Sequence, residues 1–139
     1  MHIEPDDILF NKATIIERCI KRIDEEYAAN RTLKDYTHLD AMTLNIERAC
    51  QAAIDMATHI LAIKHLGIPQ SSSDAFVLLY KNTVITNELL HSLKAMVGFR
   101  NVAIHQYQIL DIDILRYIAE EGSNDFIKFC ANLGIKIKR

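Results

Sequence analysis

The sequence predicts an all-α fold, an antiparallel bundle of four long helices plus one short helix, and three observations carry that expectation. Apolar residues recur at alternating spacings of four and three through most of the 139 residues, which lines them along single helical faces. Residues suited to capping or stopping a helix stand between those stretches. The one strand-like stretch, Ile135-Lys136-Ile137-Lys138-Arg139, has no partner strand in sight.

Leu9, Ala13, Ile16, Ile20, Ile23 and Tyr27 mark the first helix, running from about Asp6 to Ala29. Polar, mixed-charge residues from Asn30 to His38 read as a connection. Met42, Ile46, Ala49, Ala53, Met56, Ile60 and Ile63 form the stripe of a second helix, with Cys50, Ile54, Ala57 and Leu61 as an adjacent apolar row. Two rows require two packed faces, so this helix belongs at the centre of a bundle or at a subunit interface. Gly67 and Pro69 lie where a stop is needed.

Ser71-Ser72-Ser73-Asp74 reads as a loop ending in an N-cap for a short helix from about Ala75 to Lys81. Thr86 can cap the next helix, whose face holds Leu89, Leu90, Leu93, Met96 and Val97 and which leads into Phe99 to His105. Asp111 or Asp113 caps a last helix carrying Leu115, Ile118, Ala119, Gly122, Phe126, Phe129 and Leu133 on one side. Gly122, on that apolar face, is expected to permit close packing at a cost of about 1 kcal/mol against Ala.

Half the residues are apolar, and 16 basic against 18 acidic side chains leave a net charge of −2. A globular chain of this length buries roughly 68 to 70% of its unfolded surface, so a single domain over residues 1–139 can hold a core without staples. Four Gly and two Pro argue against a disordered chain. The charge balance excludes a strongly basic nucleic-acid coat protein, but not an enzyme acting on RNA at a small local site. Cys19, Cys50 and Cys130 are odd in number and lack C-x-x-C spacing, so buried reduced thiols are expected. An acidic N-terminus, and no apolar run near the ~20 residues that cross a bilayer, point to a cytoplasmic protein with no membrane partner.

Gly-rich phosphate loops, H-E-x-x-H, G-x-S-x-G and EF-hand patterns are all missing, and no cofactor is expected. Asp55 and His59 share a helical face, but two ligands do not make a zinc site; a hydrogen-bonded pair at a packing interface is the expectation, with no metal. His2, His38, His65 and His91 read as ordinary surface or loop residues.

One segment stands apart: Gly98-Phe99-Arg100-Asn101-Val102-Ala103-Ile104-His105-Gln106-Tyr107, whose polar residues interrupt an apolar helix. Asn101 and His105 align at a spacing of four, while Arg100 lies about 140° from His105 around an ideal helix. Either the helix loosens near His105, or the groups that work together come from two chains. Spacing alone proves little, since Arg31 and His38 form a similar pair in a polar connection. On residue types alone, Arg100, Asn101 and His105 also suit a helix C-terminus, and Tyr107 suits a packing tyrosine with a hydrogen-bonded hydroxyl.

The whole string resembles the R-x(4 to 6)-H motif of the HEPN superfamily, and Arg100-Asn101-x-x-x-His105-x-Tyr107 resembles the HepT-like ribonuclease toxins. The likeness extends to Glu47 through Ala57 with His59, to Gly67-Ile68-Pro69 and Phe76, and to Met96-Val97-Gly98-Phe99. It implies a HEPN-like helical homodimer that cleaves RNA without a metal, the motifs of two subunits meeting in one cleft. Arg100 and His105 would be catalytic and Asn101 would orient the phosphate or the imidazole. The resemblance also implies a partner, a cognate MntA-like minimal nucleotidyltransferase antitoxin that transfers AMP to Tyr107. Charge and bulk added there would fall beside the phosphate site and inhibit it.

A different class of protein suits the same residues: a non-catalytic helical module that binds a nucleotide or RNA, such as the accessory subunit of a nucleotidyltransferase. Lys128, Lys136, Lys138 and Arg139 suggest a basic rim for an RNA backbone or a solvated charged tail.

Overall fold

The computed structural model describes residues 1–106 and 110–139. Among them are six α-helices and no strand: α1 (Asp7–Ala29), α2 (Tyr36–Ile63), α3 (Ser72–Lys81), α4 (Asn87–His105), α5 (Ile112–Tyr117) and α6 (Asn124–Asn132), with a π-helical turn, Ile118–Gly122, between the last two. Side-chain oxygens close most of the N-termini. Asp6 accepts from Leu9, Asp35 from Thr37, Ser71 from Asp74, Thr86 from Leu89 and Asp111 from Asp113.

α1 and α2 form the backbone of the bundle. Lys12 meets Asp55, Asp6 meets His59 and Glu26 meets His38. Partner numbers fall on one helix as they rise on the other, so the pair is antiparallel. α2 touches α1, α3, α4 and α6, and this accounts for its two apolar rows: Met42, Ile46, Ala49, Ala53, Met56 and Ile60, with Cys50, Ile54, Ala57 and Leu61, are all buried inside the one chain. These two rows are therefore spent on packing within the chain.

Three expectations change in detail. The connection after α1 ends at Asp35, because that carboxylate caps a helix whose first turn contains His38. The short helix begins at Ser72, since Ser71 is its cap. The last long helix is divided. Ser123, fully buried, donates through both its amide (2.9 Å) and its hydroxyl (2.8 Å) to the Ile118 carbonyl five residues back, widening that turn into π geometry. Gly122 lies inside the turn, where an added Cβ would come within 3.2 Å of Met96 Cε; it allows close approach to α4.

The C-terminal tail is docked. Ile135 and Ile137 are buried, and Arg139 is spent on Asp24 (3.0 Å), Asn124 (3.1 Å) and the Ala119 carbonyl (2.6 Å). It neither floats in solvent nor leaves Arg139 free for a basic rim. Cys19, Cys50 and Cys130 are buried free thiols, and burial pushes Cys50 and Cys130 up to about 12. No helix among the described residues is long and apolar enough to cross a membrane.

Candidate functional site

α4 positions the candidate site. Leu89, Leu90, Leu93, Met96, Val97, Phe99 and Ala103 bury one side of it, so the polar residues of its last turns are forced outward. Arg100 is half-buried, while Asn101 and His105 are exposed. The helix stays regular through His105 and closes at Gln106, whose amide donates to the Val102 carbonyl at 2.7 Å.

That regularity decides one of the two possibilities left by the sequence. Because α4 does not loosen before its end, Arg100 and His105 remain on different sides of the helix, and no hydrogen bond joins them. Arg100 instead reaches Asn101 Oδ1 at 3.5 Å, at the outer limit for such a contact. His105 makes no side-chain hydrogen bond to a described residue. Tyr107 lies outside the described residues.

Sequence reading missed the neighbours contributed by α2. Burial pushes the Glu47 carboxyl up, and the Arg100 guanidinium pulls it part of the way back. Cys50, one turn on, feels Arg100 in the same way. Arg100 is therefore within electrostatic reach of Glu47 and Cys50 on α2, a proximity that no spacing within one helix could disclose.

Asp55 and His59 do not pair with each other. Each turns to α1, Asp55 to Lys12 at 3.0 Å and His59 to Asp6 at 2.6 Å. Among the described residues no three His, Cys, Asp or Glu side chains form a group fit to hold a metal ion. His38 is no ordinary loop histidine, since it meets the buried Glu26 at 2.5 Å from within α2.

A model of the family described as ribonuclease HepT-like matches residues 16–133, which takes in the helical core and the whole end of α4. The chain belongs to the HepT-like ribonuclease family. A HepT-like relative, the mRNA nuclease HepT of Shewanella oneidensis, is 46% identical over 125 residues, covering 89% of this chain and 94% of that protein. The tRNA nuclease HepT of Aphanizomenon flos-aquae is 34% identical over 86 residues, 59% of this chain and 58% of its own. The fold agrees with solved HepT-like structures. A tri-AMPylated Shewanella oneidensis HEPN toxin in complex with MNT antitoxin superposes with a TM-score of 0.89 at 44% identity, covering 94% of this chain and 98% of that one.

Proposed function

We propose that this chain is the toxin of a toxin–antitoxin pair, an endoribonuclease whose active cleft is assembled from two copies. The observation that carries the reading is the end of α4, where a guanidinium, an amide and an imidazole lie on the outer side of the helix and no described residue of the chain joins Arg100 to His105.

Cleavage by attack of a ribose 2′-OH on the adjacent phosphorus needs a base for the 2′ proton, an acid for the departing 5′ oxygen and positive charge at the phosphorane oxygens. One imidazole cannot occupy both ends of the reaction at once. A two-fold axis beside α4 supplies a second, so one His105 takes the 2′ proton and the other protonates the 5′ oxygen. Arg100 grips the phosphate through its forked donors, and Asn101 orients phosphate or imidazole. No metal is required by this division of roles.

The same end of the molecule offers a face for a second copy. Ile104, Ile114 and Tyr117 are 48%, 47% and 56% exposed, and Met96 and Phe99 line a groove of about 330 Å³ between α4 and the segment Ile114 to Ile118. Apolar surface of this kind beside the motif suits a subunit interface. It replaces the second row of α2, which is consumed inside the monomer.

Neutralisation follows from position. AMP transferred to Tyr107, two residues beyond His105 in the sequence, adds phosphate charge and bulk next to the motif that must bind the RNA phosphate. The solved complexes of relatives with their antitoxins support the reading. Co-expression tests it: the chain alone is expected to arrest growth and produce RNA fragments with 5′-OH ends, with relief by the cognate nucleotidyltransferase. Growth arrest that persists in His105→Ala would overturn it.

A further inference from the structure

A groove of about 430 Å³ runs between α1 and α2. Three guanidiniums line it, Arg18 and Arg22 from α1 and Arg48 from α2, and no carboxylate does. Arg22 is held by Glu25 at 2.9 Å and Glu26 at 2.6 Å. Arg18 and Arg48 are exposed and make no ion pair within 4.0 Å among the described residues. Between them Ile15 and Leu44 are 37% and 43% exposed, which gives the groove apolar patches as well as charge.

Such a concentration is unexpected in a chain of net charge −2. Two unpaired guanidiniums repel each other, and the folded chain gains nothing visible from holding them together. An anionic ligand would offset that cost. Arg18 and Arg48 converge on Cys19, whose thiol burial pushes up and both guanidiniums pull down. Arg100 acts on Glu47 and Cys50 of the same stretch of α2. Groove and motif thus adjoin the same stretch of α2, the groove through Arg48 and the motif through its neighbour Glu47.

We infer that the Arg18–Arg48 groove is a binding track for the sugar-phosphate backbone of single-stranded RNA, holding the substrate strand beyond the cleavage site. This rests on the ribonuclease reading above. The guanidiniums take successive phosphates, and Ile15 and Leu44 give a base or ribose an apolar surface to lie on. Contacts of this kind add affinity without sequence preference. They leave the chemistry at Arg100 and His105 untouched.

Salt dependence and substrate length test the track. In a His105→Ala background, binding of a fluorescein-labelled single-stranded RNA is followed by anisotropy over a salt series, with and without R18Q and R48Q together. Losing two phosphate contacts is expected to flatten the log–log salt slope by about 1.4, with weaker binding for every sequence. In the catalytically intact protein the double substitution is expected to slow cleavage of the long RNA through KM while leaving a uridylyl-uridine dinucleotide cleaved at the parent rate. Both side chains are exposed, so the melting temperature should hold.

An unchanged slope and KM overturn the track and leave the ribonuclease reading standing on the parent's cleavage. Unchanged RNA binding with lost antitoxin binding assigns the groove to a protein partner, and likewise overturns it. A parent protein that neither binds nor cleaves RNA removes the ribonuclease reading itself, and the track with it.

Discussion

Arg31 and His38, at the junction of α1 and α2, are separated in the sequence much as Arg100 and His105 are at the end of α4, yet the two regions differ in how their polar groups are used. At the junction almost every group is spoken for. Arg31 lies over the Tyr27 ring at 4.8 Å and its carbonyl accepts from Arg116 at 2.7 Å. His38 and Arg22 converge on Glu26, while buried Asn30 bonds the backbone of Lys34 and Asp35. At the end of α4 one long contact joins Arg100 to Asn101 and nothing described holds His105. Polar groups satisfied by their own chain hold a fold together. Charged groups left outward and unpaired are available to a ligand, and that availability, more than the spacing, separates the two pairs.

The sharpest way to break the comparison is to remove the two imidazoles in turn. His105→Ala is expected to lower RNA cleavage by about 10²- to 10⁴-fold, the usual worth of a positioned acid or base, with little change in melting temperature. His38→Ala should do the reverse, leaving kcat intact and lowering the melting temperature. Equal losses of cleavage would erase the distinction. Next in size is Arg100, where Ala should cost about 10²- to 10³-fold in kcat. Lys should restore part of that loss, because it returns the charge without the planar fork. Full rescue by Lys would show that Arg100 acts by charge alone.

The two regions were not equally legible in the sequence. The helices of the bundle and the caps Thr86 and Asp111 could be read from periodicity and residue type, because both depend on neighbours a few residues away. Asp35 was obscured because the exposed first turn of α2 is as polar as the loop before it. The π turn was invisible too: Leu115, Ile118, Ala119 and Gly122 remain buried, so the extra residue in the turn leaves no mark on the apolar pattern. At the site, Arg100, Asn101 and His105 stood out as a polar break in an apolar helix. The proximity of Arg100 to Glu47, and the guanidiniums that α1 and α2 bring together, arise only from packing between helices.

A stability experiment sharpens the other half of the contrast. Glu26 is the hub of the junction, its side chain 11% exposed and bonded by Arg22 at 2.6 Å and His38 at 2.5 Å. Glu26→Gln keeps the volume and removes the charge that both partners face. Since those partners are themselves part-exposed, a loss of about 2 kcal/mol is expected, within the range for hydrogen bonds to charged groups. The urea midpoint should fall while kcat and KM for RNA stay at the parent values. A drop in cleavage at unchanged stability would move the junction into the functional half of the molecule.

The smallest expected effect concerns another spent histidine. His59 meets Asp6 at 2.6 Å, and Asp6 also caps α1 by accepting from Leu9 at 3.0 Å. The His59 hydrogen bond first, then the Leu9 amide, hold the Asp6 carboxyl below its ordinary 3.8. A carboxyl more acidic in the folded state than in the unfolded one contributes its stability in full above the unfolded value, and loses it as pH falls through the folded value. Asp6→Asn separates charge from cap, because its side-chain carbonyl can still accept from Leu9. The parent should therefore melt slightly higher than Asp6→Asn at about pH 6, and the gap should close toward about pH 3 as the parent carboxyl takes up its proton. Melting temperatures across that range decide it. A gap that persists unchanged at the acid end would mean that Asp6 holds α1 by its shape, and that the contact with His59 adds nothing through charge.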